Sequence, residues 1–319
     1  MAKILPGNIH NVRIAAEKLK NGKLVAFPTE TVYGLGSDAQ NEESIARLYK
    51  VKNRPKNHPV IVHISTATKM ELWTRSAPKY ALDLAERYWP GPLTLILERS
   101  ALALDCITGG QNNVALRVPN NFLAQLLLTE FEKLGGLGIV APSANIFGSL
   151  SPTTADAVKA ELGDYLGIED LILDGGQCQI GIESTIIDCT GIQPQILRPG
   201  WITSDKVKIV SRFLNESTST QTKVSGSLDS HYAPSAQIYF SDSPKPGEGF
   251  IANATFQTPL SVIRLAAPNS VEEFAQQMYA ALRHGDNLGL EKIAIALPEN
   301  VGLGVAINDR LIKAAFRPN

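Results

Sequence analysis

The chain has 319 residues, of which 44% are hydrophobic and 19% are charged, and its formal net charge is −1. This length suits one large or two modest globular domains, and the near-zero charge excludes a global basic field that would bind nucleic acid tightly and without sequence preference. No apolar run reaches the roughly 20 residues that cross a bilayer, and the N-terminus lacks the apolar core of a signal peptide, so we expect a cytoplasmic protein without membrane contact.

The first part of the chain predicts a helix and then a strand–loop–helix–strand unit. Apolar residues at helical spacing predict the helix over Asn11–Lys20. Within Val25–Ser65, a strand ends at Pro28, a glycine-containing loop follows in PTETVYGLGS, a helix begins after its N-cap Asn41, and PVIVHIS predicts a second strand. We expect the two strands to be neighbours, with the polar loop between them.

Helices and strands continue to alternate up to about residue 212, although several strands follow one another directly. This pattern predicts an α/β domain with a twisted mixed sheet flanked by helices. The predicted elements are helices over Pro78–Trp89, from Asn120 or Asn121 to Leu134 and over Thr153–Leu162, and strands in LTLILE, NVALRVP, GIVAPSAN, LILDGG, STIIDCT and QILRP.

After Leu214 the chain becomes rich in serine and threonine, which is typical of a linker. Alternation resumes at Gln237, with strands in QIYFS, GFIAN, SVIRLA and KIAIALP and helices over Val271–Leu282 and Ile307–Phe316. We therefore predict a first domain over residues 1–212, a linker over 213–236 and a small α/β domain over 237–319. The Gly-x-Gly of GLGVAIN predicts a structural turn, because this pattern alone is weak evidence for nucleotide binding.

Two short polar patterns indicate an anion-binding site. Lys52 and Arg54 alternate in a loop beside the glycine-containing segment, and phosphate suits an ammonium and a guanidinium together. Ser143 and Asn145, two residues apart in APSAN, project to one side of an extended segment, where both can address one ligand. A solvated helix end and a simple polar turn are the respective alternatives.

Arg117 stands among apolar residues in the predicted strand VALRVP. A buried cation needs a partner, because burying it unpaired costs too much free energy. That partner is either an internal carboxylate or a bound anion, and the sequence leaves both open. His63, taken by itself, is more typical of a hydrogen-bonded core histidine than of a ligand-binding residue.

These segments resemble those of a known family in both sequence and order. PTETVYGLG, KNRP and PVIVHI are similar to the opening of the threonylcarbamoyl-AMP synthase (YrdC-like) family, and WPGPLTLIL, VALRVP, APSAN, GIESTIID and ILRPG are similar to its later segments. The region after the linker resembles the accessory domain of the longer, two-domain members. That resemblance implies a YrdC-like first domain and a small Rossmann-like α/β C-terminal domain.

The resemblance also implies functions for individual residues. The family's KxR and SxN pairs form a catalytic tetrad, which falls here on Lys52, Arg54, Ser143 and Asn145. Arg117 would hold the carboxylate of L-threonine, and the same site would include Thr31, His63, Ala141 and Ser184. The positions implied for ATP are Arg54, His58, Asn113, Ser143, Ser151 and Arg198, together with Ser230, His231 and Tyr232 in SHYAP, where Ser230 replaces the family's usual lysine.

The implied reaction starts from L-threonine and bicarbonate or carbon dioxide, which form a threonine N-carbamate. Its carboxylate attacks the α-phosphorus of ATP, giving threonylcarbamoyl-AMP and pyrophosphate, so the enzyme would be a nucleotidyltransferase. Mg²⁺, bound mainly through the ATP phosphates, is the expected cofactor. The linker is a candidate lid over the unstable adenylate. A separate tRNA threonylcarbamoyltransferase would then use the product to modify the adenosine next to the anticodon.

Two alternatives belong to other functional classes. The first is a double-stranded RNA or tRNA-binding protein without catalysis, in which cations such as Lys50, Arg54 and Lys56 make a weak RNA contact. The near-neutral charge and the intact KxR and SxN pairs disfavour it. The second is a carbamoyltransferase within a larger maturation protein, which the three scattered cysteines disfavour because they lack zinc-finger-like spacing.

Overall fold

Two β-sheets organise the protein. The computed structural model describes residues 2–215, 222–224 and 232–316. Within these ranges, ten strands form the first sheet and four strands form the second. The first sheet is built from the N-terminal two-thirds of the sequence, and the second is built from residues that follow the serine- and threonine-rich segment.

The first sheet is mixed, as predicted. Parallel strand pairs, such as β4 with β6, stand beside antiparallel pairs, such as β5 with β6. The spatial order is β1-β8-β2-β3-β7-β4-β6-β5-β9-β10, and the strands are β1 (Lys3–Pro6), β2 (Val25–Phe27), β3 (Gly34–Asp38), β4 (Ile61–His63), β5 (Leu93–Glu98), β6 (Asn113–Arg117), β7 (Ile139–Val140), β8 (Leu171–Asp174), β9 (Thr185–Asp188) and β10 (Gln195–Arg198).

Helices join these strands, and side-chain caps explain where several of them begin. The Asn41 side chain accepts from the Ser44 amide at 2.9 Å, and the Asn121 side chain accepts from the Leu123 amide at 3.0 Å, so both predicted N-caps are confirmed. A 3₁₀ turn covers Ala67–Lys69. The helices are α1 (Ile9–Lys20), α2 (Glu42–Val51), α3 (Met70–Trp73), α4 (Lys79–Tyr88), α5 (Asp105–Thr108), α6 (Phe122–Lys133), α7 (Ala155–Leu162) and α8 (Ser204–Ser211).

One predicted loop is a strand. We predicted that the whole of PTETVYGLGS is a loop, but β3 begins at Gly34 and lies between β2 and β7. Gly36 permits this packing, because a Cβ there would lie only 2.9 Å from Phe27 Cε1 and 3.0 Å from the Val25 carbonyl oxygen. The expected pairing of the strands that flank the loop is wrong, since β3 and β7 lie between β2 and β4.

The second sheet contains four parallel strands in the order β11-β14-β12-β13, namely β11 (Gln237–Phe240), β12 (Gly249–Ile251), β13 (Ile263–Ala266) and β14 (Lys292–Ile295). Helix α9 (Val271–Asn287) runs five residues past its predicted end, and α10 (Leu303–Ala315) begins four residues before its predicted start. Gly302 caps α10 with a φ of 54°, so this glycine has a structural function. The description of this domain as Rossmann-like stays a prediction.

Apolar residues from both parts of the chain pack together in one cluster. Val32 and Ile182 from the first part of the chain pack in one cluster with Phe274, Met278 and Leu282 of α9. The predicted boundaries at residues 212 and 236 therefore stay predictions, and much of the linker lies outside the described residues. Among the helices that the structure describes, none is long and apolar enough to cross a membrane.

Candidate active site

A pocket opens where the loops of the first sheet meet the second half of the chain. It encloses about 550 Å³, part of which is continuous with solvent. Its wall contains nine of the residues predicted from the sequence, among them Arg54, Arg117, Ser143 and Arg198. The complete lining is Thr29, Thr31, Val32, Gly34, Arg54, Ile61, His63, Arg117, Ala141, Pro142, Ser143, Glu183, Ser184, Arg198 and Tyr232.

Backbone hydrogen bonds fasten the APSAN loop to the TETVYGL segment. The Leu35 amide donates to the Pro142 carbonyl at 2.8 Å, and the Ala144 amide donates to the Tyr33 carbonyl at 2.8 Å. Gly34 makes this close approach possible, because a Cβ there would lie 3.1 Å from the Ala141 Cβ. Ser143 is thereby held against the pocket beside Thr31.

The pocket has a surplus of positive charge. Three guanidinium groups, of Arg54, Arg117 and Arg198, line it, and Glu183 is the one carboxylate among the described lining residues. Burial lowers the pKa of Arg54 and Arg198 from the ordinary arginine value, but arginine stays charged at any physiological pH. An anionic ligand would compensate this surplus.

Arg117 has the internal carboxylate, which is one of the two partners that the sequence left open. Its Nη2 lies 2.9 Å from Glu30 Oε1, so an internal carboxylate is present. The geometry of this contact is that of an ion pair and not of a hydrogen bond, so among the described residues neither Nε nor Nη2 of Arg117 has a hydrogen-bond acceptor. The Arg117 side chain also lines the pocket. Glu30 was missed by the sequence analysis, although it stands directly before Thr31.

His63 is a neutral group beside Arg117. The parallel register of β4 and β6 pairs these two residues, so their side chains share one face of the sheet. Burial and the charge of Arg117 lower the pKa of His63 to about 3. Its buried Nδ1 has no hydrogen-bond partner within the described part of the chain, which leaves this atom for a ligand.

Hydroxyl groups complete this end of the pocket. Thr31 Oγ1 lies 2.8 Å from Thr29 Oγ1, and Ser184 Oγ lies 2.7 Å from Thr94 Oγ1. Arg198 donates through Nε to the Ser184 carbonyl at 3.0 Å and through Nη2 to Ser184 Oγ at 3.2 Å. Sequence reasoning did not identify Thr29, which also lines the pocket.

The predicted tetrad assembles in two layers. Arg54 and Ser143 reach the pocket wall, whereas Lys52 lies behind it and is 1% exposed. Lys52 Nζ donates to the Ser143 carbonyl at 2.5 Å and to the Asn145 carbonyl, and burial lowers its pKa well below the usual value. Asn145 is buried as well and donates to the Ile146 carbonyl at 2.7 Å. Both inner residues therefore contact the loop itself.

The predicted ATP positions are spread more widely. Ser151 is buried and donates to Glu183 at 2.5 Å, and the half-buried His58 ring packs edge-on against Phe147. Asn113 lies in a second, largely apolar cleft, which shares Ile61 with the pocket. The rest of that cleft is lined by Pro59, Val60, Ile96, Thr108, Ala115, Ile186, Lys223 and Val224.

Two described parts of the linker approach these clefts. Val224 is buried against the apolar cleft, and the neighbouring Lys223 amide donates to Gln111 Oε1 at 2.8 Å. Tyr232 lines the main pocket. The other predicted linker positions, Ser230 and His231, lie outside the described residues.

Residues from the last helices contact the pocket residue Glu183, and the sequence analysis missed all three residues. Glu183 is held at 2.9 Å by Arg310 of α10 and at 3.2 Å by Tyr279 of α9. No local sequence signal identified Tyr279 or Arg310, because the segments QMYAA and DRLIK that contain them have the pattern of an ordinary amphipathic helix. Within the described residues, no group of three histidine, cysteine or acidic side chains is arranged to hold a metal ion.

Comparisons with known proteins cover nearly the whole chain. A family model described as "Telomere recombination" (Sua5/YciO/YrdC) matches residues 17–200, and one described as "Threonylcarbamoyl-AMP synthase, C-terminal domain" matches residues 197–316. A threonylcarbamoyl-AMP synthase of Pyrococcus abyssi is 38% identical over 95% of this chain and 94% of its own length. One of Bacillus subtilis is 36% identical over 98% and 94%. The solved structure of P. abyssi Sua5 complexed with L-threonine superposes with a TM-score of 0.88 at 36% identity, covering 98% of each chain.

Proposed function

The chain belongs to the threonylcarbamoyl-AMP synthase family, in its two-domain form, and from this premise we propose how its pocket forms threonylcarbamoyl-AMP. The substrates in this proposal are L-threonine, bicarbonate or carbon dioxide, and ATP, and the second product is pyrophosphate. The single observation that carries it is the convergence of Arg54, Arg117 and Arg198 on one pocket beside hydroxyl groups and a neutral histidine. Three fixed cations suit two anionic substrates that must be brought together.

L-Threonine would bind at the Arg117 end. The Arg117 guanidinium, oriented by Glu30 from behind, would hold the threonine carboxylate in bidentate fashion. The neutral His63 and the hydroxyl groups of Thr31 and Ser184 would contact the amino and hydroxyl groups, and Ala141 would bound the methyl group. The threonine complex of the P. abyssi relative, at 36% identity, supports this assignment.

ATP would occupy the remainder of the pocket. Arg54, Arg198 and Ser143 would contact the phosphates from the pocket wall. The apolar cleft beside Asn113 suits the adenine ring, because a planar base gains from contact with apolar side chains. His58, Ser151 and the linker residues Ser230, His231 and Tyr232 are the further contacts that we propose.

The chemistry needs orientation and fixed positive charge rather than a protein nucleophile. The threonine amine adds to carbon dioxide, forming an N–C bond and releasing a proton. A carbamate oxygen then attacks the α-phosphorus, and the bond from that phosphorus to pyrophosphate breaks. Arg54 and Arg198 would stabilise the charge that develops on the α-phosphoryl oxygens. Lys52 and Asn145, buried in the loop, would keep Ser143 in place during this step.

We propose that Mg²⁺ enters with the nucleotide. Glu183 already accepts from Ser151, Tyr279 and Arg310, so it is poorly placed to become a ligand of a resident cation. Phosphate oxygens and water are the ligands that Mg²⁺ commonly uses in such sites. Bound there, the ion would neutralise part of the triphosphate charge. The product would then pass to a tRNA threonylcarbamoyltransferase.

The test is pyrophosphate release by the purified protein, with ATP, L-threonine, bicarbonate and Mg²⁺ omitted in turn. We expect release to require all four components and to fall by about 10²-fold or more in Arg117→Gln, since that change removes the clamp on the threonine carboxylate. Arg13→Gln is the matched control, because Arg13 also pairs with a glutamate but lies exposed on α1. Release that is independent of threonine would contradict the proposal. A salt-dependent tRNA shift without pyrophosphate release would favour the RNA-binding alternative.

A further inference from the structure

Helix α10, which follows the last strand of the second sheet, places a buried guanidinium in contact with the wall of the pocket. Arg310 is 0% exposed, its Nε donates to Glu183 Oε2 at 2.9 Å, and its Nη2 donates to the Pro199 carbonyl at 3.0 Å. Its guanidinium carbon lies 5.6 Å from the centre of the Tyr232 ring, and its Nη1 donates to Asp309 at 2.5 Å. One side chain therefore contacts three separate segments of the pocket wall.

The contacted residues are direct neighbours of pocket residues. Glu183 lines the pocket itself and precedes Ser184, and Pro199 follows Arg198. Ser184 and Arg198 are hydrogen-bonded to each other through the contacts described above. The Arg310 guanidinium therefore contacts the chain neighbours of both members of this pair, through the Glu183 carboxylate and the Pro199 carbonyl.

Glu183 is fixed by further contacts. Ser151 Oγ donates to its Oε1 at 2.5 Å, and the hydroxyl group of Tyr279 lies 3.2 Å from both of its carboxylate oxygens. Both Tyr279 and Arg310 come from the second part of the chain. Since a carboxylate accepts about four hydrogen bonds at most, Glu183 has little freedom to rotate.

Stability alone does not account for this ion pair. A buried pair of this kind recovers its desolvation cost only partly, and well-packed apolar residues often stabilise a core as well or better. The core of this contact is apolar, with Phe274, Met278 and Leu282 in it, and a second ion pair joins Arg283 of α9 to Glu161 of α7 at 3.1 Å. The Arg310–Glu183 pair is the more deeply buried of the two, and its Glu183 lines the pocket.

We propose that Arg310 is a positioning residue for threonylcarbamoyl-AMP formation, which sets the orientation of Ser184, Arg198 and Tyr232 through Glu183, Pro199 and the tyrosine ring. The second part of the chain thereby completes the pocket. The expected effect of Arg310 on kcat rests on the proposed function. The expected effect on the local structure of the pocket wall can be measured without turnover.

The kinetic test uses Arg310→Gln, Glu183→Gln and the double variant. We expect Arg310→Gln to lower kcat for threonine-dependent pyrophosphate release by about tenfold or more, because Ser184 and Arg198 lose their common anchor. Arg310→Lys should not rescue it, since an ammonium cannot span Glu183 and Pro199 as a planar fork does. Arg264→Gln is the matched control, because Arg264 also donates to a backbone carbonyl, that of Ala252, but makes no hydrogen bond to Glu183 or to the segment next to Arg198.

The pH dependence of kcat distinguishes a positioning role of Arg310 from a general effect on protein stability. The charged and titratable groups that face Glu183 are Arg198, Arg310, Tyr232 and Tyr279, and the two arginines hold the Glu183 pKa at about 2. Without Arg310, burial raises that pKa, so Glu183 takes up a proton at a higher pH than in the wild type. Arg310→Gln should therefore show an acid limb of kcat at higher pH, and adding Glu183→Gln should remove that limb.

Backbone hydrogen exchange tests the structural part without turnover. Amides over residues 183–185 and 198–202 should exchange about tenfold faster in Arg310→Gln and at the wild-type rate in Arg264→Gln. Unchanged exchange in folded Arg310→Gln would overturn the positioning role whether or not the wild type releases pyrophosphate. Equal losses of kcat in Arg310→Gln and Arg264→Gln would overturn it too. If the wild type releases no pyrophosphate but hydrogen exchange in Arg310→Gln changes as expected, the result would contradict only the proposed function.

Discussion

The two walls of the pocket are held in place by different kinds of contact. The wall formed by residues 29–35 and 141–145 is fixed mainly by backbone hydrogen bonds, such as those from Leu35 to Pro142 and from Ala144 to Tyr33. The opposite wall, formed by residues 183–184, Arg198 and Tyr232, includes the end of strand β10 but also depends on side-chain contacts with distant segments. We call these the backbone wall and the side-chain wall.

Because of this difference, we expect the two walls to differ in how easily a substitution changes their shape. A wall held by backbone hydrogen bonds between neighbouring segments changes shape only if those segments separate. The side-chain wall depends on individual charged and hydroxyl groups, which come from distant parts of the sequence, and Glu183 and Arg310 are 127 residues apart. Single substitutions should therefore alter the side-chain wall without unfolding the protein, whereas the backbone wall should resist all but a few.

The largest effect within the backbone wall should come from Lys52, a buried charged side chain that supports its APSAN loop. Lys52→Met removes the donor to the carbonyls of Ser143 and Asn145 and leaves both buried oxygens without that partner. We expect kcat/KM for pyrophosphate release to fall by about 10²- to 10³-fold. Lys50→Met is the matched control, since Lys50 is exposed on the same helix end.

A loss of similar size in both lysine variants would show that net charge near α2 matters, rather than support of the APSAN loop. Lys52→Arg sharpens the test further. Its guanidinium is too large for the fully buried position, so we expect this variant to be as defective as Lys52→Met. Wild-type activity in Lys52→Arg would contradict the buried geometry as the cause.

A smaller effect should appear in the pH dependence of stability through His63. Its pKa is about 3 in the folded state, below the ordinary value of 6.5, so the unfolded chain binds more protons between these two values. The free energy of unfolding should therefore fall as the pH drops below 6.5, by at most about 1.4 kcal/mol per pH unit from this group. His63→Gln should reduce that slope, as measured by denaturant unfolding at several pH values.

His10→Gln controls for the loss of an imidazole, because His10 is exposed on α1. Its slope should equal that of the wild type. If His63→Gln also keeps the wild-type slope, then His63 is solvated or charged in the folded state. The pocket would in that case hold a fourth cation, and the neutral contact with threonine would need revision.

The same contrast explains how much the sequence could predict. The backbone wall consists of contiguous motifs, so Ser143 could be identified from a local pattern, as could the helix cap Asn41 farther along the chain, whereas Thr31 was implied by the family resemblance. β3 was missed because Gly34 and Gly36 indicate a loop unless the close approach of Phe27 is known. The four-residue strand β1 carries too short a pattern, and its place is set by pairing with β8.

The side-chain wall could be predicted only in part. Ser184 and Arg198 followed from the family resemblance, but nothing near Arg310 in the sequence distinguishes it from an exposed helical arginine. Its burial results from how two sheets meet, which is a long-range property. Glu30 was missed for a related reason, because its partner Arg117 is 87 positions away and the pairing depends on the order of the strands.

The smallest effect should come from Val224, which extends the side-chain wall into the linker. Val224 is 4% exposed and packs in one cluster with Ile61, Ile96 and Ile186. Val224→Ala removes two methyl groups from a contact that lies beside the proposed adenine cleft, so we expect KM for ATP to rise about three- to tenfold while kcat stays nearly constant. Ile192→Ala, at a position that is 96% exposed, should change neither constant. A fall in kcat without a change in KM would mean that the linker acts on the chemical step, and the cleft beside Asn113 would then lose its assignment as the base site.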